Sequence, residues 1–426
     1  MNPILPNNYF TPDVEAKVWK DGKLYLYGSN DISGNDAYCS YCYNVFSSDD
    51  MVNWNISENS FIQEKLMDEK GMLKPLFAPD CALINNRYCL FYCTKGDGEG
   101  VAFSDSPNGK FTNEQIIKCS NGDGIDPTVL VDGEDVYYFW GQFNLRGGKL
   151  NKELNDIVPE TFTDNILTKE KHGFHEGSSI HKINEKYYMV FCDESRDGRP
   201  TCLSYAISDT PLGKYKKMGV IIDNINCDPS SWNNHGSLCE FKGKWYVFYH
   251  RSSHNGFFNR RVCVEPITIN EDGTIKEVEM TTQGFQMPLS PKQVFNAERF
   301  CYLKGSVYIK QFDDGNICYD YLTNIHNNDA VALKYIDFSE NESNTVTSVS
   351  IEISNVIHPC KVCIRLDSCN GEIISEFNIS EKLKSFEFKK FKSTINKNTK
   401  GIHALFVTFH TKYLGKVMKL KNISFQ

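Results

Sequence analysis

Five times in its first 250 residues the chain repeats one layout: a strand led by a polar residue, a tight turn, and a second strand with aromatics at every other position. The fourth copy is the clearest. Phe174-His175-Glu176-Gly177-Ser178-Ser179-Ile180 runs into His181-Lys182-Ile183, turns at Asn184-Glu185, and returns as Lys186-Tyr187-Tyr188-Met189-Val190-Phe191. The other copies centre on Asp13 and Tyr25, Asp80 and Tyr88, Asp126 and Tyr137, and His235 and Trp245. The aromatic anchors lie 63, 49, 50 and 58 residues apart. Only strand and turn signals fall between them, and period-2 alternation cannot be satisfied by a helix. A repeat of this length built of strands predicts propeller blades of about four strands each, and five copies predict five blades. Outer strands show in Tyr43–Ser48 and in the matching Val101–Pro107 and Tyr205–Pro211.

The leading polar residues Asp13, Asp80, Asp126, Glu176 and His235 stand 8 to 12 residues before their anchors. One Asp at a strand start is an ordinary turn residue. In a propeller, however, the first strand of every blade lines the axis, so five such residues converge on one funnel. Carboxylates facing across a cleft suit glycoside hydrolysis, which needs one protonated acid and one ionised base. Glu176, among Phe174, Gly177 and Ser178, has the weakly polar surroundings that raise a carboxyl pKa and is the acid candidate. Asp13, in a turn after Pro12, is the base candidate, with Glu15 as the alternative. Asp126 is a third carboxylate that would keep Glu176 protonated by like-charge repulsion. His235 is a candidate ligand of an axial cation, directly or through water.

Composition removes other classes. The net charge is -8, with no run of five like charges and no basic face, so neither nucleic acid nor an anionic membrane is an expected partner. No apolar stretch reaches a membrane span of about 18 residues. The first ten residues lack the basic start and apolar run of a signal peptide. Sixteen cysteines suit a reducing compartment, and the two CxxC pairs, Cys39/Cys42 and Cys360/Cys363, lie in strand-like runs and read as structural. The expectation is a cytoplasmic protein, or a secreted one if a leader has been removed. Aromatics make up 13% of residues, which fits both β structure and sugar-stacking walls.

Taken together, Pro12-Asp13-Val14-Glu15-Ala16, Phe46–Trp54, Phe77-Ala78-Pro79-Asp80, Ile125-Asp126-Pro127, Glu176-Gly177-Ser178-Ser179 and Asn233-Asn234-His235-Gly236-Ser237 leading to Tyr249-His250-Arg251 resemble glycoside hydrolase family 43. The resemblance covers roughly residues 8 to 290. It implies a five-bladed propeller with Asp13 as general base, Asp126 as pKa modulator and Glu176 as general acid, acting with inversion. It further implies sugar contacts from Phe77, Asp80, Trp140, Phe174 and Arg251, and a structural, non-catalytic calcium on the axis near His235. Two departures stand out. Pro precedes Asp13 where the family usually has Asp-Pro, and Phe77 replaces the family's Trp before Ala-Pro-Asp, altering a stacking wall. The implied activity is release of xylose or arabinose from xylan- or arabinoxylan-derived oligosaccharides. The alternatives are an endo-arabinanase and a non-catalytic sugar-binding propeller.

After Ser290-Pro291 the rhythm changes. Shorter alternating strands follow, among them Val331–Phe338, Val349–Ile353, Lys361–Asp367 and Gly401–His410. About eight strands are expected, forming a β-sandwich of jelly-roll type. The chain therefore divides into a propeller over residues 1–290 and a sandwich over 291–426. Ile364–Gly371, Gly401–Leu405 and Leu420–Phe425 resemble a family 6 carbohydrate-binding module.

Overall fold

The computed structural model describes residues 1–96, 98–119, 124–198, 201–229, 235–339, 346–395 and 399–426. Its first two thirds or so form a five-bladed propeller. Blade one comprises Glu15–Val18, Leu24–Tyr27, Cys42–Ser48 and Asn55–Ile62, hydrogen-bonded in that order. Blades two, three and four repeat this four-stranded meander, their first strands being Asp80–Ile84, Thr128–Asp132 and Phe174–Ile183. Blade five has three strands among the described residues, Ser237–Phe241, Lys244–Ser252 and Arg260–Ile267. Asn233 and Asn234, which lead into it, lie outside the described residues.

The chain's start completes the ring. Ile4 donates its backbone N–H to Val262 O, and the Asn2 side chain exchanges hydrogen bonds with both backbone groups of Val264. The first strands of successive blades neighbour one another all the way round, the fifth returning to the first. Polar turns join the first two strands of the blades. Asn85-Asn86 and Asn184-Glu185 both take positive φ at both positions, the type I′ geometry whose twist suits a two-residue hairpin.

Period-2 alternation sends the aromatics of each second strand into the layers between blades. Phe91, Tyr138 and Trp140 fill the layer between blades two and three; Phe139, Phe174 and Phe191 fill that between three and four. All are fully buried, and each such side chain contributes on the order of 1.5–3 kcal/mol. The blades are thus cemented by five apolar layers, while the polar starts of the inner strands are left facing the axis.

Residues beyond 280 build a two-sheet sandwich. One sheet runs Tyr308–Asp313, Cys318–Thr323, Lys419–Phe425, Ser348–Ser354, Lys389–Thr394, with Val294–Asn296 added to Lys419–Phe425. The other runs Tyr302–Lys304, Ala330–Asp337, Ile402–His410, Cys360–Leu366, Ile373–Ile379. Eleven strands appear among the described residues, against the eight expected. The additions include three-residue segments too short to show a period. Thr282 and Gln283 already hydrogen-bond to Lys334 O, and Leu289 joins the sandwich core. All sixteen cysteines are free thiols, twelve of them buried.

Candidate active site

Two rings of residues occupy the axis, one residue pair apart on every inner strand. The inner strands of blades one, two, three and five begin at or beside Glu15, Asp80, Thr128 and Ser237, which form a sealed second ring. Two residues earlier stand Asp13, Ala78, Asp126 and His235, and blade four contributes Glu176-Gly177 ahead of Ser179. This first ring opens into a cavity of about 240 Å³, lined by Asp13, Asp126, Glu176 and His235 together with Tyr38, Phe77, Gln142 and Arg260. The backbone explains the placement. Asp13 and Asp126 both adopt left-handed φ, 55° and 52°, which turns each carboxylate off the line of its strand and into the mouth. In blade four the ladder breaks on either side of Glu176, and Gly177 takes φ 68°. A Cβ on Gly177 would fall 2.9 Å from the His235 ring, so no other residue fits there.

Each carboxylate has its own set of partners. Asp13 accepts from Arg260 Nη1 at 2.9 Å and from Ser29 Oγ at 2.7 Å. Arg260 is aimed by Asp31, which takes its Nε at 2.9 Å and its Nη2 at 3.0 Å. Asp126 accepts from the Gly177 N–H at 3.1 Å. Glu176 accepts from Gln142 Nε2 at 2.7 Å. His175 Nε2 lies 4.0 Å from Glu176, while its Nδ1 is 2.7 Å from Glu194. His235 Nδ1 sits 3.9 Å from both Asp13 Oδ1 and Asp126 Oδ2.

These partners push the carboxyls apart in acidity. Burial works to raise the Asp13 pKa, but the charge of Arg260 at 2.9 Å, helped by the hydrogen bond from Ser29, outweighs it and holds the group below the ordinary carboxylate value. Burial raises Glu176; His175 and Gln142 pull it back, the Asp13 charge adds to the rise, and the net shift is upward. Asp126 is raised well above its ordinary value by burial and by the charges of Glu176 and Asp13. Glu176 and Asp126 thus titrate as a pair that retains protons when Asp13 is ionised. Burial and the neighbouring carboxylates thus favour the protonated form of Asp126.

Several sequence expectations are corrected. Asp80 does not reach the cavity. It is fully buried in the second ring, 2.8 Å from Lys17 Nζ, and accepts from Thr128 Oγ1 and Val129 N. Its strand starts on the residue itself, whereas Asp13 and Asp126 precede theirs by two. Glu15 lies in the same sealed ring, 3.5 Å from Lys17, and is no alternative base. Trp140 and Phe174 are buried in the inter-blade layers, Trp140 on a second strand away from the axis and Phe174 on the far side of the ladder break that frees Glu176. Arg251 points to the sandwich junction, bonding Cys263 Sγ and Phe300 O. Phe77 does line the cavity. The sequence reading missed Arg260, Tyr38, Gln142 and His175. Arg260-Arg261 at the head of an apolar strand was the available signal, since two adjacent arginines there need buried acidic partners.

His235 is kept neutral by burial, so its imidazole is free to act as a ligand. It offers a cation one nitrogen beside two carboxylates, one already engaged by Arg260. Calcium prefers six to eight oxygens. Among the described residues no three His, Cys, Asp or Glu side chains gather at metal-holding distance. A calcium here would therefore be held largely through water.

Carboxyls of opposed acidity around a sugar-sized, aromatic-walled cavity are the equipment of a glycoside hydrolase, and comparison with known proteins agrees. The model of glycosyl hydrolases family 43 matches residues 1–275, and that of carbohydrate binding module family 6 matches residues 296–426. The chain belongs to glycosyl hydrolase family 43. It is 30% identical to a xylosidase/arabinosidase of Thermoclostridium stercorarium, covering 96% of this chain and 95% of that one. It is 25% identical to an arabinoxylan arabinofuranohydrolase of Paenibacillus polymyxa, over 94% and 70% of the two chains. Among solved structures, a β-xylosidase/α-arabinofuranosidase from a compost microbial metagenome, in complex with xylotriose and in calcium-free form, superposes with TM-score 0.56 at 26% identity. That match covers 66% of this chain and 97% of the other. An arabinoxylan arabinofuranohydrolase from Bacillus subtilis, at 22% identity and TM-score 0.54, covers 100% of this chain and 97% of its own, so the same two-part fold spans both.

Proposed function

We propose that the enzyme releases xylose or arabinose from the ends of xylan- or arabinoxylan-derived oligosaccharides with inversion. Asp13 acts as general base, Glu176 as general acid, and Asp126 as the residue that tunes and orients the acid. The carrying observation is the placement of Arg260. Its charge reaches Asp13 at 2.9 Å, so one carboxyl of the cavity is ionised while the Glu176–Asp126 pair keeps protons. Asp13 then removes a proton from water, and the water oxygen bonds to the anomeric carbon. The bond to the leaving oxygen breaks on the opposite face, and Glu176 delivers its proton there. Inversion follows from attack by water without a covalent enzyme intermediate, and requires carboxyls about 6.5–9.5 Å apart.

A cavity of about 240 Å³ takes one sugar ring, which supports action at chain ends over the endo-arabinanase alternative. Phe77 and Tyr38 supply aromatic walls. The names of the relatives point to pentose substrates. The sandwich over residues 291–426 is proposed as a carbohydrate-binding module attached to a propeller over 1–290. A calcium ion on the axis, with His235 as its protein ligand, would supply positive charge under the first ring; no proton transfer passes through it. The buried free thiols support a reducing compartment.

The test is a panel of aryl pentosides and galactosides, with the first-formed anomer of the product followed by NMR. Hydrolysis of a pentoside with inverted product, lost in Glu176→Gln, is expected. A retained anomer, or full activity in Glu176→Gln, would sink the assignment.

A further inference from the structure

One wall of the cavity is not held by the propeller alone. Tyr38, Cys39 and Arg260 form it, with the Tyr38 ring 5.0 Å from the Arg260 guanidinium and 4.6 Å from Phe258. The loop carrying Tyr38 is exposed from Ile32 to Ala37. It is pinned at three places. Asp31 and Cys39 bond to Arg260. Asn259 takes the Gly34 N–H at 2.7 Å and donates to Asn35 O at 3.1 Å. The third pin comes from the sandwich: Ser33 Oγ donates to Gln311 Oε1 at 2.7 Å.

Gln311 lies on the hairpin Tyr308–Asp313/Cys318–Thr323, whose other contacts converge on the same wall. Its amide donates to Asn7 O at 2.9 Å, and its backbone N–H donates to His254 Nε2 at 3.2 Å. His254 N in turn donates to Ile309 O at 2.7 Å. From the second strand of the hairpin, fully buried Asp320 pairs with Arg261 Nη2 at 2.7 Å, next to Arg260 in the chain. Burial has been accepted for both charges of that pair, although an apolar pair would serve packing as well.

We propose that the sandwich hairpin, through Gln311 and Asp320, is a positioning element of the catalytic cavity: it fixes the loop of Tyr38 and the strand head of Arg260 against the sugar. This rests on the cavity being the place of hydrolysis. The second domain then completes the first subsite as well as any sugar surface of its own, and its contribution is felt on small substrates that cannot span both domains.

The test uses the full chain and an aryl pentoside, with Glu176→Gln as a control for the site itself. Ser33→Ala removes one hydroxyl from an exposed loop and leaves folding untouched. Ser33→Thr keeps the hydroxyl. Gln311→Ala removes the whole clasp at that point. A loosened wall weakens binding of the ring, so the change falls on KM. KM is expected to rise about threefold in Ser33→Ala and about tenfold in Gln311→Ala, scales typical of slight misplacement. Ser33→Thr is expected to match the parent, and the Ser33→Ala/Gln311→Ala double variant to be no worse than Gln311→Ala. Parental KM in Ser33→Ala, whether or not Gln311→Ala folds, overturns the proposal, as does a loss in Gln311→Ala that tracks only with a lowered melting temperature. Activity surviving in Glu176→Gln would instead sink the reading of the site, leaving the two failures distinct.

Discussion

The two rings on the propeller axis carry similar residues and do opposite things. The first holds Asp13, Asp126 and Glu176 and opens to solvent; the second, two residues deeper, holds Glu15 and Asp80 and is sealed. In the second ring one lysine serves two carboxyls. Lys17 sits 2.8 Å from Asp80 and 3.5 Å from Glu15. Burial and the Asp80 charge raise the Glu15 pKa to about 8, so it carries a proton at neutral pH. That cluster is electrically closed and has nothing to give. In the first ring Arg260 is committed to one member alone, and the remaining pair is left with protons beside a cavity. The same residue types become a catalyst or a plug according to how the single cation is shared and whether water reaches them.

The largest effects should separate the rings by kind. Asp13→Asn and Glu176→Gln are expected to lower kcat by about 10²–10⁴-fold with the melting temperature little changed, as read by pentoside hydrolysis and calorimetry. An aryl substrate with a good leaving group should suffer less in Glu176→Gln, because it needs less protonation. Lys17→Met should do the reverse. Leaving Asp80 buried without its partner is expected to destabilise the protein by about 3–5 kcal/mol in denaturant unfolding, while the pH profile of whatever folds is unmoved. Activity loss without destabilisation in Lys17→Met would erase the distinction between the rings.

Smaller effects sharpen it. Arg260 lowers the Asp13 pKa, so Arg260→Gln should move the acid limb of kcat/KM to higher pH. The basic limb, set by the raised Glu176–Asp126 pair, marks where activity falls as pH rises. Glu15 makes a separate statement about stability. Its folded pKa lies above the ordinary 4.5, so its contribution is full below 4.5 and is lost as pH rises through about 8. Glu15→Gln should therefore flatten the decline of melting temperature over that window without altering kcat. The smallest effect expected is that of chelation. Removal of the axial calcium proposed above should lower the melting temperature slightly and leave the limbs of the pH profile in place, and an unchanged melting temperature with chelator would count against that ion.

Much of this was legible before the fold. The strand period announces the blades, and four of the five leading polar residues do meet in one cavity. Asp80 is instructive. It stands only eight residues before its anchor, while the other four stand ten to twelve before theirs. Those missing residues are the two-residue step between rings, and Ala78 holds the first-ring place in blade two. Trp140 lies on a second strand, whose side chains alternate between the two neighbouring layers and never face the axis, and the break in the ladder between Phe174 and Glu176 turns only the latter into the cavity. Arg260 was invisible for another reason. Its meaning depends on Asp31, 229 residues away, and on Asp13, 247 residues away, and no local pattern encodes such a partnership. The role of Gln311 lies across a domain junction and is remote from any sequence motif.

The left-handed backbone at Asp13 and Asp126 has an evolutionary consequence. Asn is among the few side chains at ease in that conformation, and it has the shape of Asp. With the roles proposed above, a single base change in either aspartate codon is expected to silence the chemistry while leaving the blades, the aromatic walls and the cavity in place. From this scaffold a lineage can pass from hydrolase to sugar receptor in one mutational step, and a silent relative would keep almost every outward mark of an active one.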